Sequence, residues 1–223
     1  MSAPSVTSFG FLVLLQAAAL SCAADKPAKP TQIRAERAAP PAARSTPAAP
    51  VLADRGWSNR ALPRLALSVS LPEAARWREL PGGRWARLEH SASHSLLELS
   101  QSRERRLGTP EECAQKAYLE RPNLPRPAEG EALDHRRMTL PHDVLADVTV
   151  SLENASAEEI VGHVTLFGAS VGRCVYAHFS TRVGGADRDQ ELARRLRMAV
   201  DGIVSSIEQL VADQRVQPEP FER

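Results

Sequence analysis

The sequence predicts an α+β fold: a single, mainly antiparallel β-sheet covered by helices. Three observations carry this. Apolar residues alternate along several short runs, the signature of half-buried strands. The later runs are joined by short connections, which suit hairpins and not βαβ units. The last segment, Asp187 to about Val211, switches to helical spacing, with Leu192, Leu196, Ala199, Val200, Ile203, Ile207 and Leu210 forming one long amphipathic stripe.

Taken in order, Leu65 to Leu71 alternates Leu65, Leu67, Val69 and Leu71 and reads as a strand ended by Pro72. Pro81-Gly82-Gly83 is a turn. Trp85 to His90 and His94 to Gln101 then read as a hairpin around Ser91-Ala92-Ser93. Thr109-Pro110-Glu111-Glu112 opens a helix: Thr109 can cap it, Pro110 suits its first position and Glu112 can return a bond to the cap. That helix runs to about Glu120 and stops before Pro122, ahead of a proline-rich loop. Strands follow over Leu133 to Leu140, Val144 to Leu152, Glu159 to Ala169 and Arg173 to Val183. The closing helix is expected to dock through Leu192, Leu196, Val200, Ile203 and Ile207 on the face Val144, Ala146, Val148, Val150 and Leu152. Arg188, Glu191, Arg195 and Asp201 are left toward solvent.

Before this domain the chain reads differently. Phe9 to Cys22 is an apolar run too short to span a bilayer, which takes ~20 residues, and it resembles a secretory core. Ala19-Leu20-Ser21-Cys22 resembles a lipobox, so residues 1–21 are expected to be a lipoprotein signal and Cys22 the acylated new N-terminus. The Leu stands two residues before Cys22 instead of three, and the first residues carry no Lys or Arg. Cleavage near Ala23 or Ala24 with release of a soluble protein, or an uncleaved anchor, are the alternatives. Of the 33 residues from Ala23 to Arg55, 11 are Ala and 6 are Pro, without apolar period. Residues 22–55 are therefore read as a lipidated Cys and a tether reaching ~30 Å. Residues 56–212 form the single domain and 213–223 a polar tail.

The tether carries six positive and three negative residues; the remainder carries 22 against 24. That balance argues against a nucleic-acid partner, which calls for clustered positive charge.

With "LALSVSLPEAARW" near its start and "GRCVYAHFST" feeding the closing helix, the element order resembles the Mog1/PsbP-like superfamily, in particular its DcrB-like envelope and secretion-accessory members. The resemblance covers roughly residues 60 to 212. It implies an α/β/α sandwich that serves as a binding or accessory module, and it carries no catalytic residues across.

Candidate chemistry is sparse. Gly168-Ala169-Ser170-Val171-Gly172 matches the G-x-S-x-G nucleophile elbow, which requires a strand-to-helix turn. Here strand character continues after it, His178 is the only later His, and Asp187 follows that His. A hairpin turn is the competing reading, and an envelope hydrolase using Ser170 is kept as the alternative function. The six His residues show no HExxH, and no CxxC pair is present, so neither a metal nor another cofactor is expected. His163 and His178 alternate with apolar neighbours and read as solvent-side or satisfied residues. Glu111 and Glu112 are accounted for by the helix start. Arg103 to Arg106 reads as a solvated charge run.

If Cys22 is acylated, Cys113 and Cys174 are the two thiols left in an exported protein, and an even count there favours a disulfide. Two separate buried thiols are the other reading. The function expected is that of a non-catalytic, lipid-anchored bacterial envelope protein. It would sit on the periplasmic or outer-membrane face and bind other envelope or secreted proteins; a chaperone or immunity partner of a secreted effector would be a specialised form.

Overall fold

The strands follow one another as antiparallel neighbours almost throughout. The computed structural model describes residues 51–104, 108–127 and 131–210, all within one compact unit. In chain order they form β1 (Ser58–Leu62), β2 (Leu67–Leu71), β3 (Arg78–Leu80), β4 (Ala86–His90), β5 (Ser95–Arg103), α1 (Pro110–Glu120), β6 (Asp134–Leu140), β7 (Val144–Asn154), β8 (Glu159–Ser170), β9 (Arg173–Gly184), α2 (Arg188–Met198) and β10 (Glu208–Gln209). The fold is α+β, and its strands lie in two antiparallel sheets, not one: seven strands ordered β3-β4-β5-β9-β8-β7-β6, and three ordered β1-β2-β10.

The large sheet is two sets of hairpins joined along β5 and β9. The chain zigzags through β3, β4 and β5, crosses by way of α1 to the far edge at β6, and zigzags back to β9. In β9, Val175, Ala177, Phe179 and Val183 face one side, while Cys174, Tyr176 and His178 face the other. The first side is the main core. There Leu192, Leu196, Val200, Ile203 and Ile207 are buried together with Val144, Ala146, Val148 and Val150, as the spacing of both segments predicts. Leu152 departs from that expectation and is 43% exposed near the end of β7. Gly162 of β8 lets α2 come close: a Cβ there would lie 2.7 Å from Leu192 Cδ1 and 2.9 Å from Leu196 Cδ2.

The closing helix is shorter and less regular than predicted. After α2 the backbone takes a π turn over Ala199–Ile203 and a 3-10 turn over Val204–Ser206, then becomes extended at Ile207. Gly202 lies under Trp57, whose Cη2 would sit 2.3 Å from a Cβ at that position. Ile207 remains in the core, and leaving the helix lets Glu208 and Gln209 pair with Ser68 and Leu67 of β2. The helix also buries a residue assigned to solvent. Arg195 is 1% exposed, with Nε donating to Glu191 (2.6 Å) and Nη1 to the Ser93 carbonyl (2.6 Å) and Thr181 Oγ1 (3.0 Å).

The start of the domain shifts as well. Leu52 is fully buried, its carbonyl accepts from Arg194 Nη2 (2.5 Å), and Ala53 N donates to Glu73 (3.1 Å). The last residues assigned to the tether are thus packed on the domain. The signal, Cys22, residues 22–50 and the 213–223 tail lie outside the described residues.

Candidate functional site

The second side of the large sheet holds the candidate site, and its architecture starts at α1. Thr109 caps that helix as its sequence predicts: Glu112 N donates to Thr109 Oγ1, and the Glu112 carboxylate accepts from Thr109 N. This start places Cys113 one turn in, facing the sheet. Its sulfur lies 1.98 Å from that of Cys174, with the Cα atoms 5.5 Å apart. Around this pair Trp85, Ala117, Leu124, Phe167, Ala169 and Tyr176 form a second, smaller core, with Tyr118 packed against it. Trp85 stacks on Tyr176, and the ring of Tyr118 meets Phe167.

Where that aromatic cluster ends, a row of polar side chains begins. Strand register places Glu98 of β5 beside His178 of β9 and Thr165 of β8. His178 Nδ1 donates to Glu98 Oε2 (3.2 Å), and its Nε2 lies 3.1 Å from His163 Nδ1, the two rings stacked at 5.4 Å. His163 Nε2 lies 3.3 Å from Glu153 Oε2 at the end of β7. At the other end Arg121, the residue that terminates α1, sits over the Trp85 ring and donates through Nη2 to both oxygens of Glu98 (3.0 and 3.1 Å). Arg87 of β4 adds its charge, with Nε 3.1 Å from Glu98 Oε1. Glu98, His163 and His178 are all buried; Glu153 is exposed.

The electrostatics follow from this geometry. Burial would raise the Glu98 carboxyl, but hydrogen bonds from His178 and Arg121, and their charges, outweigh it and hold the group down at about 2. Burial pushes His163 below the ordinary imidazole value, and charge on His178 pushes the same way against the pull of Glu153. Beside the row, an open cleft of about 420 Å³ is lined by Leu80, Arg87, Glu89, Leu96 and Arg182 among others.

Ser170 lies elsewhere. It precedes the two-residue turn of the β8–β9 hairpin, with Gly172 at φ +71°, and not a strand-to-helix elbow. Its Oγ accepts from Gln209 Nε2 (3.0 Å). Five residues of β9 separate its level from that of His178, about 16 Å along the strand. The remaining histidines occupy turns and an edge: His90 and His94 flank the β4–β5 turn, His142 sits between β6 and β7 beside Glu208, and His135 lies on β6. Among the described residues no three His, Cys, Asp or Glu side chains are set to hold a metal ion, and no helix is long and apolar enough to cross a membrane.

Sequence reading placed His163 and His178 on strands but did not join them to Glu98. The alternation shows which side each residue faces. The join depends on β5 pairing with β9, across 80 residues of chain. Arg121 carried no signal, since its role comes from being where the helix stops.

No family model and no curated protein matches the chain. A crystal structure from Bacteroides thetaiotaomicron VPI-5482 is similar over 68% of this chain and 47% of that one, with 9% identity and a TM-score of 0.41. This chain thus spans about half the length of that protein, and at such a score the likeness carries no argument about fold or role.

Proposed function

We propose that this protein is a lipid-anchored envelope protein that binds other envelope or secreted proteins, using the sheet face that carries Glu98, His178 and His163. The observation that carries the reading is the contrast around the cleft beside that row. Its walls mix the apolar Leu80 and Leu96 with the charged Arg87, Glu89 and Arg182, and this combination suits a polypeptide segment better than a small apolar ligand. The Ala19-Leu20-Ser21-Cys22 box and the Ala/Pro-rich tether support the anchoring part. The order of strands, helix, antiparallel strands and closing helix supports assignment to the Mog1/PsbP-like superfamily, whose members act as accessory modules.

Two measurements test this. Replacing Cys22 with Ser should move the protein from the membrane fraction to the soluble fraction; unchanged partition with no lipid mass on the N-terminal peptide overturns the anchor. A photo-crosslinking residue at Leu96 should capture a defined envelope or secreted protein, while one at the distant, exposed Val171 should not. Identical capture from both positions overturns the assignment of the face.

A further inference from the structure

We propose that the row Glu98–His178–His163–Glu153 is a binding site for one proton, carried as a single imidazolium shared by the two stacked rings between the two carboxylates. The inference comes from counting hydrogens. The row has three gaps: Glu98 Oε2 to His178 Nδ1 at 3.2 Å, His178 Nε2 to His163 Nδ1 at 3.1 Å, and His163 Nε2 to Glu153 Oε2 at 3.3 Å. Ionised carboxylates only accept, so each gap needs one N–H from a ring. Two neutral imidazoles carry two N–H groups between them. The third gap closes only when a proton from solvent is added to one ring.

The structure shows the row with one gap open. His163 Nε2 is buried without a hydrogen-bond partner. Glu153 Oε2 stands 3.3 Å away, at ion-pair distance but outside hydrogen-bond alignment. Its side chain is 71% exposed and free to rotate into line once that nitrogen carries a proton. A second proton is opposed strongly, because it would place two positive rings 5.4 Å apart in a buried site.

The neighbouring charges do not supply the missing proton or take its place. Arg87 of β4 and Arg121 at the end of α1 both address Glu98. Arg182 of β9 pairs with Glu159 of β8, and Glu89 of β4 pairs with Arg78 of β3. Thr165 and Ser151, the other buried polar residues beside the rings, carry no charge. The proton therefore raises the charge of this face by one.

Histidine ¹⁵N NMR of the full chain, followed from about pH 8 to about pH 5, reads the site directly. The expected result is one proton taken up by the pair, with both rings changing together and His163 Nε2 converting from acceptor to N–H. His135 and His142 serve as references in the same spectrum. Glu153→Gln replaces an exposed side chain and leaves the core intact; it should lower the midpoint of the pair by roughly one pH unit and leave the references unmoved. Two independent protons, one on each ring, would overturn the proposal. So would no uptake before unfolding, or a midpoint unmoved by Glu153→Gln.

Discussion

Among the described residues Arg195 and Glu98 lie buried on opposite sides of the large sheet, and their two sites are built differently. On the α2 side Arg195 is enclosed by Glu191, Thr181 and the carbonyl of Ser93. A carboxylate, a hydroxyl and a backbone carbonyl hold a guanidinium that never loses its proton. On the α1 side Glu98 is held by Arg121, Arg87 and His178, and the chain of contacts continues through His163 to an exposed carboxylate. Both sites satisfy the requirement that buried charge be paired. In the second, two imidazoles lie in direct line with the buried charge, and the line ends at an exposed side chain. The first therefore fastens the helix to the sheet, while the second can respond to its surroundings.

The comparison can be broken at its strongest point first. Arg195→Ala should destabilise the domain by about 3–5 kcal/mol, because the buried pair with Glu191 is broken and the Ser93 carbonyl and Thr181 Oγ1 lose a charged donor. The exposed Arg197→Ala should stay within about 0.5 kcal/mol. Urea midpoints of the two variants decide it, and equal midpoints would mean that Arg195 is not a fastening at all. Next, Cys113→Ala with Cys174→Ala removes a link across 61 residues of sequence and should cost up to about 4 kcal/mol on the chain-entropy estimate. Non-reducing peptide mapping should find the bridge in exported protein, and free thiols at both positions after denaturation would contradict it.

The smallest effect sharpens the contrast through pH. The Glu98 carboxyl falls from its ordinary 4.5 to about 2 on folding. A depressed acid stabilises the fold above its unfolded value, so this contribution, about 3 kcal/mol, is full above about pH 4.5 and lost as pH falls toward 2. Glu98→Gln should flatten stability against pH over that window, measured by denaturant titration at several pH values. Arg195→Ala should leave the slope as it is. A slope unchanged in Glu98→Gln would show that the carboxylate is not held in its charged form.

Much of the fold was legible because periodicity reports local facts. The Thr109 cap with Pro110 and Glu112, the alternating face of β7 and the stripe of α2 each follow from spacing within a few residues. Arg195 was misread for an instructive reason. It stands three residues after Leu192 and four before Ala199, squarely on the apolar stripe, and only its charge argued for solvent. The second sheet was hidden differently. β1 reads Ser-Asn-Arg-Ala-Leu without alternation, and β10 has two residues. Such short edge strands exist because of their neighbours. The polar row shows the same limit: each side chain could be assigned to a side of its strand, but their meeting needed the pairing of β5 with β9.

The small sheet also dictates an order of events. β1 and β2 come from the beginning of the described domain and β10 from its end, and Ser70 N donates to Ser206 Oγ across 136 residues of chain. A chain that emerges N-terminus first, from a ribosome or a membrane pore, presents β1 and β2 long before their neighbour exists. That early hairpin is marginal alone and must wait, its apolar face open, while the large sheet and α2 assemble. Closure of the domain is therefore a late step, dominated by contacts between distant parts of the chain, and such topologies fold slowly. The first strands to appear are among the last to be locked in place.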